Sequence, residues 1–385
     1  MDKFKRLVFA ALKILLAVEI SYLILVNGAL QLSLTQDLVN KIRPDQFRVS
    51  WDNAWSWFPF RVHAEGIWAD GQSRSQQWQV RATSASGSIS LLPLVLKRVH
   101  LRDVEAQDVD YSQRPRLKPE RDYSAMLPYF PEIRGREVQP ANTSPRKKKR
   151  PWKVSIRNAR ATGTHSYWIF NARGGGEGEA FAEMDIESRG GPLRLDIREL
   201  DLELGPAFIN GDNELFRRGH VVGQLGFAPF VPRENKGLRM LPFLEIDALL
   251  DLDVHSLGFI NLFTANLGNL VIDGAGLVQG PLRYSQGYML AGTDLTARAR
   301  DLAVRINEMD VNGQGVVRIH TPREADKPLG LDVDYDTLEI TRDGDTAPFL
   351  AGDSLRLRYK ASNYVVPDPD MDFQKLLNDE RARER

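Results

Sequence analysis

The sequence predicts an all-β protein carrying one N-terminal transmembrane helix, and three observations carry that prediction. Residues 7–30 form a nearly unbroken apolar run. From about Gln46 onward, apolar and polar residues alternate with a period of two, the period of a strand with one buried face. Gly, Asn and Asp punctuate the alternating runs as turn residues do. The expected architecture is a long, twisted antiparallel sheet curved into an open groove. A β-sandwich is the alternative way to bury the same apolar face.

The N-terminal element is the run LVFAALKILLAVEISYLILVNGAL from Leu7 to Leu30, about the length a helix needs to cross roughly 30 Å of hydrocarbon. Lys3, Lys5 and Arg6 precede it, so the positive-inside tendency keeps the N-terminus cytoplasmic and puts the rest of the chain on the other side. An uncleaved anchor is expected rather than a signal peptide, because no small-x-small cleavage site follows and the run exceeds an ordinary h-region. Lys13 lies close enough to the cytoplasmic end to snorkel. Glu19 lies near mid-helix, where a charge costs roughly 3 kcal/mol. It reads either as a contact with a partner's membrane helix or as a protonated, tolerated side chain.

The strand-like runs are clearest in the second half. Leu193, Leu195 and Ile197 alternate with charges, and the phase then slips and resumes at Leu200, Leu202 and Leu204. Leu244 to Val254 alternates too, as do Leu295 to Ala299 followed by Leu302 to Ile306, Leu329 to Ile340, and Ser354 to Ala361. A one-residue slip would flip the faces, so bulges or corners are expected there. Leu270–Val278 and Met309–Val317 share a polar-Gly-x-Gly core with apolar flanks, which suits a meander of hairpins. Short helices are expected over residues 36–42 and 257–267, and in the tail from Asp372.

Residues 114–151 break the pattern with seven prolines and the basic run Arg146–Arg150, and read as a flexible linker. The predicted organisation is therefore 1–31 anchor, 32–113 N-terminal β portion, 114–151 linker, 152–366 main β-groove portion and 367–385 charged tail. Trp51, Trp55, Trp57, Phe58, Phe60 and Trp68 follow soon after the anchor. Such a cluster serves either as core for the first sheet or, through Trp55, Trp57 and Phe58, as a membrane-interface belt.

Composition narrows the chemistry. Hydrophobic residues make up 42% and charged residues 26%, which favours folded domains. Fifty-one Lys and Arg balance fifty-one Asp and Glu, so the basic excess of a nucleic-acid binder is missing. The absence of cysteine excludes disulfides, thiolate metal sites and cysteine nucleophiles. The six histidines are scattered singly, at 63, 100, 165, 220, 255 and 320. Gly174–Gly178 lacks the Lys and Ser/Thr of a phosphate-binding loop and reads as a turn. Asp332, Asp334 and Asp336, like Asp368, Asp370 and Asp372, lack calcium-loop spacing and read as solvated faces. No nucleophile elbow is present. No enzyme, metal or cofactor is expected.

One family matches this plan at the level of pattern. The anchor is followed by Phe60-Arg-Val-His-Ala-Glu-Gly-Ile-Trp68, then Ser88-Ile-Ser-Leu-Leu-Pro-Leu-Val-Leu-Lys97, then Val99-His-Leu-Arg-Asp-Val104. This order, together with the later Gly-x-Gly strands, resembles the AsmA-like proteins, whose relatives include TamB and YhdP and, more distantly, the chorein-type bridge-like lipid carriers. The resemblance implies a bacterial inner-membrane protein with a periplasmic body. It also implies a β-groove, apolar inside, that binds or conducts phospholipid and contributes to outer-membrane lipid homeostasis. On that expectation Leu193, Leu195, Ile197, Leu252, Val254, Leu331, Val333, Leu355 and Leu357 line the groove. About 25 strands at roughly 4.8 Å would give a ladder on the order of 120 Å at most, short of crossing an envelope unaided. Expected partners are acyl chains, the inner membrane, and another envelope protein met through Glu19 or the linker. The competing expectations are a membrane-tethered assembly factor without a groove and, third, a glycan-acting envelope enzyme.

Overall fold

The computed structural model describes residues 2–42, 47–73, 76–119, 121–136, 151–188, 190–232, 234–235, 237–261, 270–322, 329–342, 345 and 347–361. Strands dominate, and the chain divides into two units, Met1–Arg173 and Gly174–Arg385.

The first unit opens with α1 (Asp2–Gln31) and α2 (Ser33–Ile42). Within α1, Lys13–Gln31 is long and apolar enough to cross a membrane, and none of that stretch is buried. The sheet that follows contains β1 (Phe47–Ser50), β2 (Asn53–Phe58), β3 (Arg61–Gln72), β4 (Gln76–Ile89), β5 (Arg98–Gln107), β6 (Asp110–Pro115) and β7 (Lys153–Ile169), with the short helix α3 (Leu91–Val95) between β4 and β5. β1 and β2 share one rung beside β3, β4 follows, β5 and β6 share the next rung, and β7 closes the order. β7 runs parallel to both β5 and β6, which corrects the expectation of a purely antiparallel sheet. The physical reason is the long 116–152 connection, since parallel neighbours need a crossover that antiparallel ones do not.

β1 and β2 form an edge, and an unpaired edge exposes a row of backbone donors and acceptors. The two helices cover it with side-chain amides. Asn27 donates to the Ser56 carbonyl and accepts from its N–H, at 3.1 and 2.7 Å. Gln31 donates to Ala54 O at 2.9 Å, and Gln36 to Trp51 O at 2.9 Å. Asn40 bonds both backbone groups of Val49, at 2.9 and 2.8 Å. In return the Trp51 indole donates to Leu30 O at 2.9 Å. The amides thus stand in for a missing strand.

Part of the predicted linker belongs to this unit's body. Leu117, Phe130 and Ile133 are buried, and Arg136 is 1% exposed. Arg136 and Arg48 both pair with the fully buried carboxylate of Asp70 on β3, Arg48 at 2.9 Å. Arg114 donates to Gln77 and to the carbonyls of Pro131 and Arg136. The linker assignment therefore does not hold for residues 116–136, because buried ion pairs and apolar anchors tie them to β1, β3 and β4. The basic run 146–150 lies outside the described residues, as does the tail from Asp372. The unit boundary falls after β7 rather than at 151, because β7 is laid beside β5 and β6.

The second unit is an antiparallel ladder of β8 (Ala172–Glu187), β9 (Leu193–Leu204), β10 (Ala207–Ile209), β11 (Asn213–Phe230), β12 (Leu244–Val254), β13 (Leu270–Asp273), β14 (Gly276–Ser285), β15 (Tyr288–Met289), β16 (Asp294–Ile306), β17 (Met309–His320), β18 (Leu329–Arg342), β19 (Leu350–Gly352) and β20 (Leu355–Ala361). Several short strands share a rung, so the described residues make five rungs in the first unit and nine in the second. At about 4.8 Å per rung these ladders measure roughly 20 and 40 Å, and the 25-strand estimate was too high.

The phase slips are bulges. The register shifts opposite Ile197/Leu200, between Ala299 and Leu302, and opposite Tyr335/Leu338, so the apolar set stays on one face through each slip. The two Gly-x-Gly motifs flank one of these bends from either side. Gly276 and Gly315 both pair with Ala299, and Gly313 pairs with Leu302. A Cβ on Gly313 would lie 1.8 Å from the Thr337 carbonyl oxygen, so the neighbouring strand can close on the bend only over glycine. Gly174–Gly178 lies inside β8, not in a turn; a Cβ at Gly176 would meet the Glu203 carbonyl on β9 at 2.5 Å. Of the helix expected over 257–267, the described part holds the 3-10 turn Gly258–Ile260 followed by a helical Asn261, and 262–267 lie outside the described residues.

Candidate functional site

The second unit presents one apolar and one charged face. Register places Leu252, Val278, Ala297, Val317, Val333 and Leu357 on a single row running across the strands. Leu295, Ile319, Leu331 and Tyr359 form the row beside it, and Val254, Ala299, Tyr335 and Leu355 lie on the next. Six of the nine residues assigned from sequence to a groove are therefore brought onto neighbouring rows of one face. Leu193, Leu195 and Ile197 share that face nearer the far end of β9. Leu195 stands between Met184 and Phe227, and Ile197 between Ala182 and Leu225.

Burial divides the face in two. Across β13 to β18 the side chains are sealed: Val333 is 0%, Val317 1% and Val278 2% exposed. Leu257 and Ile260 join the same core, and the Asn261 amide bonds both backbone groups of Ile272, which pins this segment to β13. The Tyr335 hydroxyl donates to Val311 O at 2.8 Å, and burial pushes its pKa up. Val254, Leu331 and Val333 belong to this filled core, so their assignment to a groove lining is corrected: no open surface reaches them. Their alternation is that of a groove wall, but the space beyond them is occupied by the protein's own side chains.

Across β8, β9, β11 and β12 as far as Leu252 the same face is only partly covered. Leu193, Leu195, Ile197, Leu200, Leu202 and Leu204 on β9 are all partly exposed. So are Val221, Leu225 and Phe227 on β11 and Leu244, Ile246, Leu250 and Leu252 on β12. Small residues flank the leucines on β8, where Ala180, Gly178 and Gly176 oppose Leu200, Leu202 and Leu204. The tilted pair Phe227–Phe230 at 5.5 Å and the stacked pair Phe230–Phe243 at 5.4 Å close one end. Leu355 and Leu357, on the last rung, are also partly exposed.

The opposite face carries cross-strand ion pairs. Arg318 holds Asp294 through two bonds of 2.7 and 2.6 Å, and its guanidinium lowers the Asp294 pKa. Arg283 reaches Asp247 at 3.2 Å, Arg358 reaches Asp332 at 3.8 Å, and Arg356 pairs with Asp334. The aspartates of the 332–334 stretch thus face arginines. Asp368–Asp372 lie outside the described residues. Among the described residues no group of three His, Asp or Glu is arranged to hold a metal. Gln279, Gly280, Pro281, Asp294, Thr296, Arg298 and Arg318 line an open hollow on this charged side.

The aromatic cluster of the first unit splits between its two readings. Trp51 and Trp55 are half-buried, Trp55 stacking on His63 at 5.7 Å, and the Arg48 guanidinium lies over Trp68 at 5.5 Å. Trp57, Phe58 and Phe60 are exposed, and so is Lys13, while Glu19 is half-buried. Sequence reasoning missed the edge-covering amides and the exposed side chains of α3. A spacing of four between Asn27 and Gln31, repeated between Gln36 and Asn40, was the legible signal for the amides. Against known proteins, no family model matches the chain and no curated protein matches it.

Proposed function

We propose that the protein is an AsmA-like component of the bacterial envelope, anchored in the inner membrane by α1 with its body in the periplasm. There it binds phospholipid acyl chains on the partly covered apolar face of β8, β9, β11 and β12. That face is the observation that carries the reading. Its leucine rows stay in partial contact with solvent in a folded unit, and a contiguous apolar face left partly open is the kind of surface on which apolar ligands bind. Binding is by burial of methylenes, about 0.8 kcal/mol for each CH₂ removed from water, and needs no catalytic group. Membrane anchoring supplies the local lipid concentration.

The test is photocrosslinking of the full chain, reconstituted in vesicles, to phosphatidylethanolamine carrying a diazirine in its acyl chain. Label should map to peptides of β9, β11 and β12 and fall on changing Leu195 and Leu202 to Asp in a protein that still unfolds cooperatively. Label confined to α1 would overturn the reading. The filled core of β13 to β18 favours the second reading, a membrane-tethered assembly factor, since a sheet that fills its own interior leaves no path for an acyl chain along its whole length. A clean body with α1 alone labelled would select it.

A further inference from the structure

We propose that one end of the first unit is a membrane-seating surface, made by the β2–β3 turn together with α3. Its partner is the headgroup–acyl boundary of the leaflet from which α1 emerges. The proposal rests on reading α1 as a membrane anchor and adds that the β body itself enters the lipid interface.

The turn is bonded to the helix at a level that forces this contact. The Phe60 N–H donates to the Tyr22 hydroxyl at 3.3 Å, and that hydroxyl donates to Phe58 O at 3.2 Å. Tyr22 lies inside the apolar stretch Lys13–Gln31. With Lys3, Lys5 and Arg6 in one headgroup layer, about 20 residues from Leu7 cross the hydrocarbon and end near Val26. Tyr22 is then about 6 Å inside the far boundary. Interfacial protein segments settle at about that depth, roughly 5–10 Å.

The side chains at that end suit lipid rather than water. Trp57, Phe58 and Phe60 are 62, 68 and 52% exposed. The Ile89 N–H donates to Phe60 O at 2.9 Å, and α3 begins two residues later, so its exposed residues lie at the same end. There Leu92 is 87%, Val95 84% and Leu96 53% exposed. Phe60 also holds a φ of +70°, a left-handed conformation that is costly for an aromatic residue and that Gly or Asn would adopt more readily. An aromatic kept at a strained, exposed position fits an insertion role. Arg61 follows the turn directly, and Lys97 and Arg98 follow α3, placing basic groups where anionic headgroups would meet them.

The chain has no cysteine, so single cysteines can report depth. The full chain is labelled with a nitroxide at Leu16→Cys, Phe58→Cys, Leu92→Cys, Val95→Cys or, at the far end of β3 and β4, Gln76→Cys. Each is reconstituted in vesicles of phosphatidylethanolamine and phosphatidylglycerol, and its collision rates with oxygen and with a water-soluble nickel chelate are compared. All five positions are exposed, so labelling leaves the core intact. Seating predicts an oxygen-to-chelate ratio several-fold higher at 58, 92 and 95 than at 76, and highest at 16. A lipid-buried label at 16 with 58, 92 and 95 as wet as 76 would overturn the seating and leave the anchor standing. A wet label at 16 would overturn the anchor, and the seating with it.

Discussion

Two halves of the second unit are written in the same alternating pattern and yet do different things. From β13 to β18 the inward residues are sealed, with Val333 at 0% exposure, while Leu195, Ile197 and Leu202 on β9 stay partly open. Register shows the same face in both halves, and the charged face behind it is similar. The difference is what lies opposite: the first set packs into a core completed by Leu257 and Ile260, and the second has incomplete cover. Alternation sets which face is apolar. Tertiary closure decides whether that face is a core or a surface.

The comparison breaks most sharply under charge insertion. Val333→Asp buries an unpaired carboxylate and should cost about 5 kcal/mol, abolishing cooperative urea unfolding of the second unit. Leu195→Asp, at a partly wetted position, should cost about 1–2 kcal/mol and leave the transition intact. Equal losses would mean that the two halves are equally closed. Next in size, Asp70→Asn removes the negative charge shared by Arg48 and Arg136 and turns one of the two acceptor oxygens into a donor, and should destabilise the first unit by about 3–5 kcal/mol. Hydrogen exchange should then rise over 116–136 first; unchanged protection there would refute the tie.

Smaller still, Asn40→Leu leaves both edge groups of Val49 unbonded and should cost about 1–2 kcal/mol, read as faster amide exchange confined to β1. For the same reason, a truncation beginning at residue 32 should lose protection along β2, because Asn27 and Gln31 go with it.

The smallest effect is pH-dependent. A hydrogen bond to Asp201 raises the His220 pKa, so its contribution is complete below the ordinary histidine value of about 6.5 and is lost as pH rises through the raised one. Solvent screening at this exposed pair holds it below about 1 kcal/mol. His220→Gln should remove that part of the melting profile. Asp294 runs the other way: Arg318 lowers its pKa, so its stabilisation is present above the ordinary carboxylate value near 4 and is lost as pH falls through the lowered one.

Much of the fold was legible because strand periodicity is local. The slips at Ile197/Leu200 and Ala299/Leu302 announced bulges, since a bend that did not restore the phase would have put leucines in water. The anchor-like helix was legible from length and apolarity alone. What could not be read were long-range choices. The two Gly-x-Gly motifs suited a meander of hairpins, but that both accommodate one bend in β16, from opposite sides, depends on strand register and was not legible. The proline-rich stretch looked like a linker because its anchors, Phe130, Ile133 and Arg136, have partners such as Asp70 far away in sequence. The exposed residues of α3 went unremarked because Leu-Leu-Pro-Leu-Val carries no sign of which way it will face.

The sequence by itself determined an apolar helix, a β body and which residues share a face, because helix and strand periods are set within a few residues by backbone geometry. Tertiary structure decided the parallel return of β7, the amide-covered edge, the buried Asp70 and the division of one apolar face into a sealed core and a partly open surface. Each of those depends on which distant segment arrives opposite, and burial is a property of the pair rather than of either strand alone.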